Sequence, residues 1–545
     1  MQTMGRSTEI PRSREKTRDR WLIRRSYRSA LVWGLLAMAF AWPAAGKSSQ
    51  TQELAARVDA LLAKSPLAKA SVGVLVIRAS DGATVYESGA DRLLIPASNQ
   101  KILTALASLD RFGPTHRFST RIWSSSAPDL EGVVDSLVVE GGGDPTMNSE
   151  DWWRLAADLR REGLRGIRGD LRVDDTYFDA PGWHPSWGRI SARAYHAPVG
   201  ALTANYGSFF VSIWPGAGVG SQAQVDIDPP VDYLRVRNRA KTAAPSARPR
   251  LSVNRAQGQQ TEGPPDEVVQ IDGVIRHGDD GDRFPRSVLD PGLYAGSLLA
   301  YQLKANGVFL DGDVVRGPIG EESLELLLDR PGRSVAESVG LCLKYSNNSI
   351  AETLVKNLGA WEGAALDPQA ANKTLKLVKP TRQGDWVSGL RAMRAQLGGL
   401  GVHLENARMI DGSGLSIQNR VSPRALVQAL EAGRSSFRIG AEFVASLPIA
   451  ELDGTLERRL RGGAGRVRAK TGLLSDARVT ALSGYADRGD GETLIFSILV
   501  NGHTGGSRGA MDAVDSIARV LLDASIPGAD SVSLKPASLK THGLH

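Results

Sequence analysis

Apolar positions are spaced differently in successive stretches of the chain. Residues 52–64 (QELAARVDALLAK) carry them at helical intervals, which predicts an amphipathic helix. Val72, Val74 and Val76 alternate within Ser71 to Ile77, a strand pattern. Asp81-Gly82 then marks a turn and residues 83–88 a second strand, so a hairpin is expected. Pro96-Ala97-Ser98 opens a helix over 99–111 whose inward stripe is Ile102, Leu103, Leu106 and Leu109.

From about Phe118 to Phe284 the runs shorten. Strands are expected over 121–124, 136–140, 208–214 and 268–275, separated by Gly, Pro and Asp-rich turns. Residues 239–265 are polar and lack a period, which predicts a mobile loop. Helical spacing returns over 292–306 and 335–358. Three strands (465–471, 479–485, 493–501) and a closing helix (510–523) follow, and residues 526–545 read as a disordered tail.

This order predicts an α/β (α+β) catalytic domain in two parts, 47–117 and 285–525. An inserted β-rich region of one or two smaller domains, 118–284, interrupts it. Three consecutive domains would leave the N-terminal hairpin without a sheet to cover, and an isolated hairpin is marginal.

Charge changes the picture only at the N-terminus. The chain of 545 residues has a formal net charge of +7. Residues 1–28 hold nine bases and three acids, which leaves 57 bases against 56 acids elsewhere, so no nucleic-acid surface is implied. Ala30 to Trp42 is uninterruptedly apolar, and Pro43-Ala44-Ala45-Gly46 supplies small residues. This is the pattern of a secretory signal peptide over 1–46, cut near Ala45 or Gly46. About 13 apolar residues fall short of the ~20 that span a bilayer, so a soluble periplasmic protein is expected. The lone Cys342 excludes an intrachain disulfide, and the eight histidines show no metal spacing. No cofactor is called for.

Three short motifs carry chemistry. Ser98-Asn99-Gln100-Lys101 places a hydroxyl and an amine on one face at a helix start. Serine is a weak nucleophile until a base takes its proton, and a desolvated lysine can be that base. The helix N-terminus disfavours the ammonium form and offers N–H groups to an oxyanion. Alone the pattern is weak, since Ser13-Arg14-Glu15-Lys16 in the leader also matches. Ser346-Asn347-Asn348 supplies a second serine, able to pass a proton to a leaving amine. The amide of Asn348 can hold either an acyl-side carbonyl or the lysine. Ser252-Val253-Asn254 matches the same pattern by chance. Lys470-Thr471-Gly472 is the one Lys-Thr-Gly in the chain and ends a strand, where lysine and hydroxyl can receive a carboxylate.

In this order and these contexts the three motifs resemble those of penicillin-binding proteins and serine β-lactamases. The 248 positions between Ser98 and Ser346 are too many for a compact β-lactamase. The chain is similar instead to the D-alanyl-D-alanine carboxypeptidase/endopeptidase family of penicillin-binding protein 4. Residues 141–146 (GGGDPT), 411–416 (DGSGLS), 453–456 (DGTL) and 482–485 (LSGY) extend that likeness over nearly the whole chain after the leader.

The resemblance implies a transpeptidase-like fold, an antiparallel sheet flanked by helices, and a serine D-Ala-D-Ala carboxypeptidase that also has endopeptidase action. Ser98 would be acylated, Lys101 its base, Ser346 the relay and Asn348 a donor to a substrate carbonyl. Lys470, Thr471 and Gly472 would receive the terminal carboxylate, and the N–H groups of Ser98 and Leu473 the oxyanion. Asp174 and Phe178 would grip the amino end of a diaminopimelate side chain, with Asp175 a neighbouring competitor. Two departures touch the stem-peptide pocket: Ile417 stands where arginine is frequent, and Ser475 where some members have glutamine. The implied partners are peptidoglycan stem peptides and, as inhibitors, β-lactam antibiotics. Membrane association is at most peripheral, and homodimerisation is left open. The rivals are a β-lactamase, for which no Glu-x-x-Leu-Asn segment supplies a deacylating base, and a non-catalytic wall-binding scaffold.

Overall fold

The structure, a computed structural model, describes residues 44–258, 266–319, 324–361 and 383–522. Most of the expected leader and the whole expected tail lie outside the described residues. The chain divides into a unit of residues 1–52, described only from the start of a helix at Ala44, and a unit of residues 53–545. Everything that follows concerns the second.

Its central element is a five-stranded antiparallel sheet built from both ends of the sequence. The strand order is Val467–Leu474, Val479–Asp487, Thr493–Asn501, Ser71–Arg78, Thr84–Ser88. The central strands are covered on both faces, so they read as apolar runs with little alternation. On one face Val74, Val76, Leu482, Phe496 and Ile498 meet Leu54, Val58 and the closing helix Gly506–Leu522 through Val514, Ile517 and Leu521. On the other, Leu75, Ile77, Ala481 and Leu499 meet the helix Gln100–Phe112. Ile102, Leu103, Leu106 and Leu109 of that helix are fully buried, as its spacing predicts.

Where one helix was expected over 335–358 there are two, Val335–Lys344 and Asn348–Ala360. The break falls at Ser346, whose φ of 58° is a left-handed conformation that no helix interior allows. Apolar periodicity continues across the break because both helices face the same core, which is why spacing alone conceals it.

The insertion runs longer than expected. Strands Arg117–Ser124 and Glu325–Ser334 pair antiparallel and close a mixed five-stranded sheet with Leu137–Gly141, Leu171–Asp174 and Val314–Arg316. Helix Pro291–Ala305, capped by Asp290, buries Tyr294, Leu298, Leu299 and Leu303 in the same cluster as Ile122, Val139 and Trp152. The stretch 285–334 therefore packs with the insertion, and the main core resumes at Val335. Sequence spacing could not locate this return, since a helix does not announce which core it joins.

Residues 239–265 are a further correction. Lys241–Ala243 and Arg250–Gln257 are strands flanking Glu267–Arg276; residues 259–265 lie outside the described set. Only Val253 of Arg250–Gln257 is buried, so this strand lacks the apolar alternation that marks one. The chance match Ser252-Val253-Asn254 sits on it, its two polar side chains bonded to each other at 2.9 Å. Trp152 is a core residue, whereas Trp153 is half exposed.

Candidate active site

Ser98 lies in a single 3₁₀ turn, Ala97–Asn99, that leads into the helix Gln100–Phe112. Ala97 has φ 46°, a strained conformation for a residue with a Cβ, and it turns the following hydroxyl out of the helix line. Two backbone segments press on this turn. A Cβ on Gly414 (φ +80°) would lie 1.8 Å from the Ala97 carbonyl oxygen, and one on Gly472 would lie 3.0 Å from that of Pro96. Gly414→Ala is therefore expected to cost about 1–3 kcal/mol of stability and to slow acylation, measured by thermal unfolding and penicillin labelling.

Lys101 Nζ stands 3.1 Å from Ser98 Oγ. The same nitrogen donates to Asn348 Oδ1 at 2.7 Å and to the Ser413 carbonyl at 2.8 Å. The lysine is fully buried, and desolvation pulls its pKa down to about 8 against the partial support of nearby anions. Of the two uses open to Asn348, its carbonyl oxygen takes the lysine. Its amide nitrogen donates to the Tyr195 carbonyl of the insertion at 2.9 Å.

Across the cleft Lys470, also fully buried, donates to Ser346 Oγ at 2.8 Å and to the Thr471 carbonyl at 2.8 Å. Burial and the repulsion of Lys101 hold its pKa well below the lysine range. The two buried amines repel each other, and among the described residues neither is hydrogen-bonded or ion-paired to a carboxylate. Lys470 belongs to Val467–Leu474, the edge strand of the main sheet. Ala469 N–H donates outward, to the Pro448 carbonyl, so strand alternation points the N–H groups of Thr471 and Leu473 outward as well. Leu473 is well exposed and Thr471 is nearly buried, its hydroxyl donating to Thr455 Oγ1 at 2.8 Å.

The motif runs left without a physical reason in the sequence acquire one. Asp411 Oδ1 accepts from Gly414 N–H (2.8 Å) and Asn419 Nδ2 (2.8 Å), and its Oδ2 from Ser416 N–H (2.7 Å) and Trp187 Nε1 (2.9 Å). That carboxylate folds 411–416 into the loop whose Ser413 carbonyl receives Lys101. Thr104, one turn after Lys101, donates to the Gly412 carbonyl at 2.7 Å. Asp453 accepts from Ile449 N–H and from Lys344 Nζ, which sets Thr455 beside Thr471. Asn99 is tied to Ser483 at 3.0 Å, and Ser483 to Ser497 at 2.8 Å. Sequence reasoning missed Thr104, Tyr195 and Trp187, because all three act across elements far apart in the chain, and it quoted Thr455 within a motif run without giving it a role.

Ser98, Lys101, Asn348, Ser346, Lys470 and Thr471 are thus joined in two hydrogen-bonded groups. Asp174 and Phe178 are joined to neither by any hydrogen bond or ion pair among the described residues. Asp174 is buried: its Oδ1 accepts from Thr176 N–H and Thr176 Oγ1 in an Asx-type turn, and its Oδ2 accepts from the distant Ile319 N–H. Phe178 is buried beneath the Lys356 amine. Asp175 is paired with Arg316. Ile417 and Ser475 are both exposed.

Residues 54–521 match the D-Ala-D-Ala carboxypeptidase 3 (S13) family. A D-alanyl-D-alanine carboxypeptidase of Actinomadura sp. (strain R39) is 36% identical over 477 residues, 83% of this chain and 82% of that protein. The D-alanyl-D-alanine carboxypeptidase DacB of Haemophilus influenzae is 22% identical over 80% of this chain and 86% of its own. Among solved structures, penicillin-binding protein 4 (dacB) from Haemophilus influenzae superposes with a TM-score of 0.69 at 22% identity, covering 85% of this chain and 98% of that one. The expected fold class is borne out: an antiparallel sheet flanked by helices, with a penicillin-binding protein as structural neighbour.

Proposed function

The chain belongs to the D-Ala-D-Ala carboxypeptidase 3 (S13) family of serine-type peptidases, and on that premise we propose that Ser98 carries its acyl-enzyme. The observation that supports this most directly is the Lys101 amine, fully buried and 3.1 Å from the Ser98 hydroxyl, with its charged form disfavoured.

Lys101 Nζ takes the Ser98 proton as Oγ bonds to the carbonyl carbon of the penultimate D-alanine. The N–H groups of Ser98 and Leu473 stabilise the oxygen that becomes negative. The carboxylate of the terminal D-alanine lies against Lys470 and Thr471, supplying the carboxylate partner that the two buried amines lack among the described residues. Its charge favours the ammonium form of Lys470, which keeps Ser346 Oγ supplied as that hydroxyl protonates the departing amine. Collapse breaks the C–N bond, D-alanine leaves, and water later cleaves the Ser98 ester. A β-lactam enters the same sequence, but its leaving group stays tethered. A cross-linked peptide in place of the terminal D-alanine makes the same chemistry an endopeptidase.

A wall substrate would be met outside the cytoplasm, so this reading includes export. The basic, apolar and small-residue order of residues 1–46 supports export, and no helix among the described residues is long and apolar enough to cross a membrane.

Incubation with a pentapeptide ending in D-Ala-D-Ala is expected to release one D-alanine per peptide, measured by chromatography. Good penicillin labelling without release would support the scaffold reading instead. Digestion of cross-linked muropeptides is expected to yield monomers in the same preparation.

A further inference from the structure

The helix Asn348–Ala360 carries a polar stripe at i, i+4 intervals: Asn348, Glu352 and Lys356. Asn348 holds the Lys101 amine directly. Glu352, one turn later, is wholly buried and its carboxylate is committed on three sides. Oε1 accepts from Ser413 N–H at 2.8 Å, and Oε2 accepts from Gly412 N–H at 3.0 Å and Trp386 Nε1 at 2.9 Å. The two successive N–H groups so held, of Gly412 and Ser413, lead directly into the Ser413 carbonyl, the third partner of Lys101, whose own peptide is held by Asp411 through Gly414 N–H. Of the two contacts that aim the amine at Ser98, one comes from Asn348 on this helix and the other from Ser413, whose N–H the same helix face holds through Glu352.

The stripe continues outward. Lys356, buried without exposure, is ion-paired with Asp179 of the insertion, and its amine lies 4.0 Å from the centroid of the Trp386 ring. Trp386 therefore grips Lys356 with its face and Glu352 with its N–H. A buried carboxylate is expensive to keep unless hydrogen bonds and cations compensate it, and this one has both.

We propose that Glu352 is a positioning residue of the reaction: it fixes the Gly412 and Ser413 N–H groups, and with them the residue whose carbonyl aims Lys101 at Ser98, and it sets a carboxylate behind that amine. The proposal rests on the reading of Lys101 as base. The charged or titratable groups facing it are Asp411 from the loop, Lys101 from the nucleophile's helix, Lys356 from its own helix and Cys342 from the preceding helix, with His184 of the insertion facing Asp411 and Lys356. Burial and Asp411 push the Glu352 carboxyl above the ordinary carboxylate range, so its anion forms in the more alkaline part of the range, where Lys101 also loses its proton.

The test follows acylation of the full chain by a fluorescent penicillin from roughly pH 5 to 10, with Ser98→Ala as the blank. Glu352→Gln removes the anion and one acceptor. Its rate is expected to fall about ten- to a hundredfold, and its rising limb to move about one unit toward lower pH. Glu352→Asp keeps the charge and shortens the reach, so the limb stays while the rate falls. Should Glu352→Gln fail to fold, Trp386→Phe, which removes the N–H donor while keeping an aromatic face, though a smaller one, for Lys356, is expected to shift the limb in the same direction. A uniform loss at every pH with the limb unmoved overturns the proposal, as does an unchanged rate. Absence of labelling in the wild type would instead strike the reading on which it rests.

Discussion

Ser98→Ala is expected to lower D-alanine release by at least about four orders of magnitude and to abolish covalent penicillin labelling, read by intact-protein mass spectrometry. The size follows from the role: without an oxygen to acylate, only binding and oxyanion stabilisation remain, and removal of a nucleophile has cost up to about 10⁶ elsewhere. Stability should hardly change. Ser98 is half-buried and bonded to Lys101 alone among described side chains, while the Ala97–Asn99 turn is fixed by backbone contacts. A variant that folds yet still forms an adduct would remove Ser98 as the acylated residue. Surviving label on Ser346 would be visible in the same spectrum after digestion.

Lys101→Ala is expected to lower acylation by about 10³, within the range set by loss of a general base. The wild-type rate of acylation should rise with pH and level off above about 8, because burial brings the lysine down to that value and only its neutral form accepts the Ser98 proton. The sign is fixed by the direction of the shift. Lowering the pKa from the ordinary lysine value raises the neutral fraction at pH 7 by about 300-fold. In Lys101→Ala this limb should vanish, leaving a flat, low profile. A persisting limb near 8 in the variant would assign the titration to another group, with Lys470 the first to test.

Much of the central sheet was legible. The hairpin after residue 71 and the strands near residues 479 and 493 fall where alternation and turn residues predicted, because their local pattern and tertiary role agree. The strand 250–257 was not legible, since an exposed edge strand has almost no apolar side to reveal it. Nor was the span of the insertion, because helix 291–305 is apolar in either core. At the site, Ser98, Lys101, Ser346 and Lys470 were found by motif. Glu352 and Asp411 were not given roles, because their work is to hold backbone, which leaves no motif of its own.

The sequence alone determined which groups could do chemistry: a hydroxyl and an amine three positions apart at a helix start, a second serine, a second lysine. It determined local order too, since spacing and turn residues act within a few positions. Only the tertiary structure decided that Asn348 holds Lys101, that Asp174 Oδ2 is taken by Ile319 N–H, and that Glu352 lies behind the base. Those facts depend on contacts between residues up to 312 positions apart. They depend equally on burial, which converts an ordinary lysine into a base and exists only once the core has closed around it.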